Sequence, residues 1–517
     1  MRIIDMFDKG ASVYPENIAF LDGTDDYTYS EASKKSHLIA SAITGKGFGK
    51  NSHVAVLAPN SSVAFLTLLG VFRAGAIWLP INPRNPVSVN GDLLTRFDGE
   101  LLMYHSAYEA EAKALLSQVP SIKKVVCING KSDFSESLAD WLANASETFA
   151  AVDFSLEDTL GIFSTGGTTG KSKGVIVTHR NLAAAYTNMY AHFDYYDNTK
   201  HLVVAPMTHS SGTLGCAHFS RGGTNVIMAA PDPEGVMKMI EHHKITHLFL
   251  PPTVLYMMLA NPNVKNYDYS SLQHFFISSA PCSLEKFKEA VKVFGPVMTE
   301  VFGQTEAPAL ITAKAPKDYL DAKGNIIESR ISSIGRASVL VDVALMNDDG
   351  EILGNNESGE IVVRGDLVTP GYYKNSEATA EAQYGGWLHT GDIAIRDSEG
   401  FYKIIDRKKE LIITGGFNVF PNEVEQALST HPAIQECAVI GVPDDKWGEA
   451  VKAIILIKAG ADVSEDELIA LAKEKVGSVK APKSVDFVTD FPRSPVGKVL
   501  KSEIRKRYWQ ERTTEVN

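Results

Sequence analysis

The sequence predicts an α/β fold: a large N-terminal domain of helix-covered sheets that ends in a small β subdomain, then a small α+β domain. Three observations carry that expectation. Short strand-like runs alternate with helical runs up to about residue 330, the signal for parallel sheets covered by helices. Beyond it the pattern changes to short strands and turns. From about Lys409 a second, smaller alternation begins, so the domains are set at 1–408 and 409–517.

In order, residues 54–57 read as a strand, 63–72 as a helix and 77–81 as a strand. The run 63–72 is the best membrane candidate. It falls short of the ~20 apolar residues a bilayer requires, and Arg73 follows it, so a buried helix is expected. Strands are expected at 201–204, 226–229, 247–250 and 275–278, with helices at 236–243 and 284–294. Strands at 340–346 and 360–364 mark the β subdomain. The C-terminal unit has a helix over 422–428, strands at 437–440 and 452–457, and a helix opened by Ser464. Glu467, three residues on, is expected to complete a capping box.

With 517 residues, 44% of them hydrophobic and 22% charged, the chain has the composition of an ordinary globular protein with room for more than one compact unit. A net charge of −12 argues against nucleic acid or an anionic membrane as partner, because both need a basic face. Any nucleotide site must be positive locally. Cys127, Cys216, Cys282 and Cys437 are far apart, without a CxxC pair, which suits a reducing cytoplasm. The first residues include acidic side chains where a signal peptide would be uniformly apolar.

Residues 164–174, Ser-Thr-Gly-Gly-Thr-Thr-Gly-Lys-Ser-Lys-Gly, are the most informative stretch. Apolar 159–163 leads in and β-branched 175–178 leads out, so the segment joins two strands. Glycines let backbone wrap an anion, amides and Thr hydroxyls donate to phosphate oxygens, and lysines supply charge. A Walker A loop is the rival. It would need Gly at 165, where Thr stands, and would open into a helix rather than Val175-Ile176-Val177.

This loop is similar to that of the adenylate-forming superfamily: acyl- and aryl-CoA synthetases, luciferases and peptide-synthetase adenylation domains. The family's loop is close to Thr-Ser-Gly-Thr-Thr-Gly-x-Pro-Lys-Gly. Here Gly166 stands for the usual Ser and Ser172 for the usual Pro, leaving Thr165, Thr168, Thr169 and Lys173 in place, with Gly167 and Gly170 between them. The resemblance covers nearly the whole chain, because further blocks follow in the family's order. It implies that Phe302 stacks on adenine, Thr305 contacts the α-phosphate and Glu306 holds Mg²⁺, for which a carboxylate oxygen is apt. Ser279-Ala280-Pro281 is implied to pass beside the adenine. Asp392, in His389-Thr390-Gly391-Asp392, is implied to accept both ribose hydroxyls, with Arg407 on the far side.

In Arg407-Lys408-Lys409, the resemblance makes Lys409 the hinge about which the small domain moves. Gly415 and Gly416 would approach the pantetheine arm of CoA, while Asn418 and Glu425 serve local structure. Pro492-Arg493-Ser494-Pro495-Val496-Gly497-Lys498 matches the family's C-terminal loop, whose lysine enters the site for adenylation. His209 matches a position beside the substrate carboxylate, and Ser210, Gly212, Gly303 and Gln304 are expected in the acyl pocket. Acetate-using members carry Trp where Gly303 stands, so open space and an acid larger than acetate are expected. The implied activity is an AMP-forming acid–thiol ligase that uses ATP, Mg²⁺ and CoA on a small-molecule carboxylic acid, most like a stand-alone acyl- or aryl-CoA ligase. The alternative is an enzyme that loads a carrier protein in trans. Monomer and homodimer both stay open.

Overall fold

A computed structural model of the chain describes residues 1–149, 152–165, 172–193, 195, 198–208, 210–230, 232–278, 282–493 and 499–509. The described residues pack as two units. One comprises residues 1–165, Ser172–Val343 and Val363–Leu388; the other comprises Ala344–Val362 and the residues from His389 on. The expected hinge, Lys409, is a separate matter from this packing division.

The first unit is built on two sheets. Among the described residues the larger has nine strands, in spatial order Arg336–Ala337, Ala307–Lys314, Met298–Gln304, His274–Ile277, His247–Leu250, Lys200–Val203, Thr224–Ile227, Ile18–Leu21 and Tyr27–Thr28. Its middle is parallel and its two ends are closed by antiparallel pairs. The second runs Glu136–Ser137, Lys124–Cys127, Leu101–Tyr104, His53–Leu57, Ile77–Pro80, Thr159–Ser164 and Gly174–Thr178. The helices follow from their patterns. Leu284–Phe294 buries Phe287, Ala290 and Phe294 on one stripe; the Ser283 side chain caps its start and Gly295, at φ +86°, ends it. Ser62–Arg73 is apolar all round and is buried along its length apart from Val63, as a core helix should be. Gly70 is needed there, since a Cβ would run into Ile39 of the neighbouring helix Tyr29–Gly45. Among the described residues no helix is long and apolar enough to cross a membrane.

A five-stranded sheet comprises Asp342–Met346, Ser358–Arg364, Trp387–Arg396 and Gln383–Tyr384, with Tyr402–Arg407 also paired to Trp387–Arg396. The C-terminal sheet centres on the long pair Ile434–Asp444 and Gly448–Ile457. Its helix Glu465–Lys480 starts where the sequence signals, with the Ser464 side chain accepting from Glu467 N. The capping box stays half-made: the Glu467 carboxylate lies 3.1 Å from His431 Nε2.

On the larger sheet His201, His247 and His274 sit side by side on adjacent strands, and the ring of His218 lies 5.2 Å from those of His201 and His247. Burial pushes His201 down to about 4 and His218 well below the usual imidazole range. Depressed values favour the neutral form in the folded state. As pH falls below the unfolded value near 6.5, the unfolded chain takes up protons that the fold refuses, and stability is lost down to the folded value. His201 alone should cost about 3 kcal/mol across that window. The urea midpoint should therefore fall clearly between pH 7 and pH 5. An unchanged midpoint would show that these rings are not held neutral.

Candidate active site

The first unit holds the phosphate-loop flanks and the Phe302–Glu306 block. Thr159–Ser164 and Gly174–Thr178 pair antiparallel, so the loop springs from a hairpin as the sequence implied. Its neck is closed by Thr165 N donating to Lys173 O (2.9 Å), Lys173 N to Thr165 Oγ1 (3.2 Å) and the Ser172 hydroxyl to Thr165 O (2.5 Å). Ser172, standing where the family's loop has proline, thus closes the neck with its side chain. Its own carbonyl accepts from Arg96. Gly166, Gly167, Thr168, Thr169 and Gly170 lie outside the described residues, as do His209, Ser279, Ala280, Pro281 and Lys498.

Thr305 and Glu306 form the turn joining Met298–Gln304 to Ala307–Lys314, with Gln304 paired to Ala307 across it. Both turn side chains are half-buried, as is Phe302 on the strand before them. Gly303 departs from expectation. A Cβ there would lie 2.8–2.9 Å from the backbone C, N and O of Ala309. Ala309 itself adopts φ +68°, where the strand bulges toward the glycine. The place beside Gly303 is filled by main chain, not left open for an acyl group.

Tyr372, which the motif reading passed over, links the two blocks. Its hydroxyl donates to Glu306 Oε1 at 2.7 Å, and the Lys173 ammonium sits 4.8 Å from its ring centroid. The segment 369–373 holds it there. Ile176 N donates to Gly371 O, Tyr373 N to Gly174 O, and Thr369 N to Glu306 O. Burial and the Glu306 carboxylate raise the phenol well above its ordinary range, so it remains a donor. Hydrogen bonds to charged groups contribute about 1.5–3 kcal/mol. Tyr372→Phe keeps the ring under Lys173 and should lower pyrophosphate exchange roughly tenfold or more. Parental exchange would mean that Glu306 needs no such support.

Gly212 lines a small apolar cavity with Phe65, Leu69, Trp78, Met207 and Cys216. Ser210 begins the helix Ser210–Cys216 beside it.

In the second unit Asp392 and Arg407 are cross-strand neighbours, paired at 2.8 Å from Arg407 Nε to Asp392 Oδ1. Asp392 is buried and the Arg407 side chain is exposed. Glu360 shapes the turn before them. It accepts from Gly391 N (3.0 Å), contacts His389 Nδ1 (3.2 Å) and pairs with Lys408 (3.3 Å). Lys409 lies exposed in the short 3-10 turn Lys408–Glu410. Gly415 and Gly416, at φ +57° and +81°, form the two-residue turn between Ile412–Thr414 and Phe417–Val419. Both left-handed positions favour glycine for the turn itself. Space beside Gly416 is open, whereas a Cβ on Gly415 would meet the Trp447 ring. Glu425 serves local structure as expected, accepting from Val439 N at 2.6 Å.

Similarity to known proteins follows the same two blocks. Residues 7–373 match the family of AMP-binding enzymes, and residues 423–498 match the AMP-binding enzyme C-terminal domain. The chain is 37% identical to the medium/long-chain-fatty-acid–CoA ligase FadD8 of Mycobacterium tuberculosis, over 77% of this chain and 71% of that protein. It is 32% identical to a feruloyl-CoA synthase of Amycolatopsis, over 97% of this chain and 98% of that one. Among solved structures, the amide bond synthetase McbA from Marinactinospora thermotolerans superposes with a TM-score of 0.87 at 27% identity, covering 98% of this chain and 100% of McbA. The family match spans well over half the chain in the order its motifs require, and the protein belongs to the AMP-binding enzyme family.

Proposed function

We propose that the protein is an ATP-dependent carboxylate–CoA ligase that works through an acyl-adenylate, on an acid larger than acetate. The observation that carries this reading is the similarity to a feruloyl-CoA synthase over nearly the whole chain and to a fatty-acid–CoA ligase over 77% of it, together with the Lys173–Tyr372–Glu306 constellation at the neck of the phosphate loop. Four free thiols suit a cytoplasmic enzyme.

In this reading a substrate carboxylate attacks the α-phosphorus of ATP and pyrophosphate leaves. Negative charge grows on phosphoryl oxygens, so fixed cations and amides lower the barrier more than an acid or base could. Thr165 and Lys173 with the loop amides hold the phosphates, Thr305 donates to the α-phosphate, and Phe302 offers a face to adenine. Asp392 accepts the ribose hydroxyls while Arg407 contacts the ribose. Glu306 fits magnesium: Tyr372 orients its carboxylate, and an ion bound mostly by phosphate and water takes only one or two carboxylates from a protein. Magnesium bound there would supply positive charge against the phosphates. Lys498 stabilises the leaving pyrophosphate. Rotation about Lys409 then exchanges Lys498 for the Gly415-Gly416 turn, and the CoA thiol attacks the acyl carbon, releasing AMP.

A panel of carboxylic acids of increasing length, aliphatic and aromatic, tests the reading with ATP and CoA, scored by AMP and thioester. Thioester with acids larger than acetate is expected. AMP formed only when a carrier protein replaces CoA would move the acceptor to the carrier, and AMP absent with every acid would overturn the reading.

A further inference from the structure

The described residues on either side of the Lys498 loop are tied down at two points. Arg493 and Val499 form an antiparallel bridge, and Leu500 N donates to Pro492 O at 2.8 Å, so the chain enters and leaves the loop side by side. On the entering strand Arg493 pairs with Glu436 at 2.5 Å. On the leaving side Lys501, first residue of the helix Lys501–Trp509, makes two ion pairs, 2.7 Å to Glu425 Oε1 and 3.1 Å to Glu410 Oε2. Glu425 belongs to the helix Pro421–Leu428. Glu410 closes the Lys408–Glu410 turn, one residue beyond Lys409.

We infer that Lys501 is a positioning residue, which pins the base of the Lys498 loop to the first residue after the hinge so that hinge and loop move together. The inference rests on the proposed roles of Lys498 and Lys409. Its physical ground is geometric. A long side chain with an exposure of 19% is held by carboxylates from two different elements, and those carboxylates are themselves largely sheltered, at 17% for Glu425 and 28% for Glu410. Such a pair is screened less than a surface one, and breaking it leaves sheltered charge uncompensated. Asp406, two residues before Lys408, also feels the Lys501 charge. It is fastened separately: its carboxylate accepts from Asn422 N at 2.8 Å, and burial raises it to about 6. Among the described residues, the Glu410 pair joins the lysine to the hinge turn itself.

Rotation at Lys409 must deliver Lys498 to a phosphate within a fraction of an ångström to act, and a loosened base spreads that position. A displacement near 1 Å can cost roughly a hundredfold in rate. The experiment uses the full chain with Lys501→Met, Lys501→Arg and Glu410→Gln. It reads hydrogen exchange at the amides of Val499 and Leu500, pyrophosphate exchange, and thioester formation from supplied acyl-adenylate. Lys501→Met should speed exchange at the loop base and lower kcat for adenylation about tenfold to a hundredfold, with KM for ATP little changed. Lys501→Arg should recover most of the loss. Glu410→Gln, which removes one charge without changing shape, should give a smaller effect of the same kind and serves if Lys501→Met does not fold. Parental exchange and adenylation in Glu410→Gln and Lys501→Met would overturn the inference. So would equal loss of adenylation and thioester formation. If Lys498→Ala itself adenylates normally, the proposed function of that loop fails, while faster exchange in Lys501→Met would still uphold the tie.

Discussion

Lys498→Ala is expected to lose pyrophosphate exchange by on the order of a hundredfold or more, while converting supplied acyl-adenylate to thioester at close to the parental rate. In the proposed mechanism the charge on this lysine acts on pyrophosphate as it departs, and pyrophosphate departs only in the first half-reaction. A cation placed beforehand where charge develops needs no reorganisation at the moment of reaction, so its removal is felt in the transition state more than in binding. The described flanks of the Lys498 loop are bridged at Arg493 and Val499, with Arg493 paired to Glu436 and Lys501 to Glu410 and Glu425. The measurement is exchange of labelled pyrophosphate beside CoA acylation from adenylate. Equal loss in both steps would mean that the lysine supports the fold of the small domain rather than the chemistry.

Gly303→Trp is expected to lower activity with every acid, short or long, by roughly tenfold to a few hundredfold or more. The motif comparison alone suggests a selective effect, because a tryptophan would fill the acyl pocket and spare acetate. The structure assigns the glycine another duty. Backbone of Ala309 stands 2.8–2.9 Å from where a Cβ would be, so even alanine forces the bulge to move. Main chain cannot swing aside as a side-chain tip can, and overpacking of this kind costs roughly 1–3 kcal/mol or more. The displaced hairpin carries Phe302, Thr305 and Glu306 with it. The check is kcat/KM across acids from acetate upward in Gly303→Ala and Gly303→Trp. A uniform fall supports the packing argument, and a fall confined to the larger acids would restore the open-pocket argument.

The motif blocks were legible because each is local. The phosphate loop announces itself through glycines, hydroxyls and lysines that no core could use, and the hairpin around it follows from the apolar runs at its ends. The helices Ser62–Arg73 and Leu284–Phe294 and the strand His247–Leu250 were equally readable, since run length and periodicity express burial directly. Glu467 was misjudged for the opposite reason. The spacing fits a capping box, yet His431, 36 residues away, takes the carboxylate. Tyr372 carries no local signal either: a tyrosine in a turn-rich stretch looks like many others, and its partner Glu306 lies 66 residues back.

By itself the sequence determined the α/β class, the order of strands and helices, the family and the chemistry of its residues, because backbone preference, periodicity and short motifs act between near neighbours. Only the tertiary structure decided that 369–373 lies against Gly174–Thr178 and puts a phenol between Lys173 and Glu306. The fold likewise decided that Gly303 yields to a backbone and that Lys501 reaches Glu410 in the Lys408–Glu410 turn. Those facts depend on which distant segments meet, and contacts of long sequence separation are set by the packing of whole layers rather than by the residues on either side.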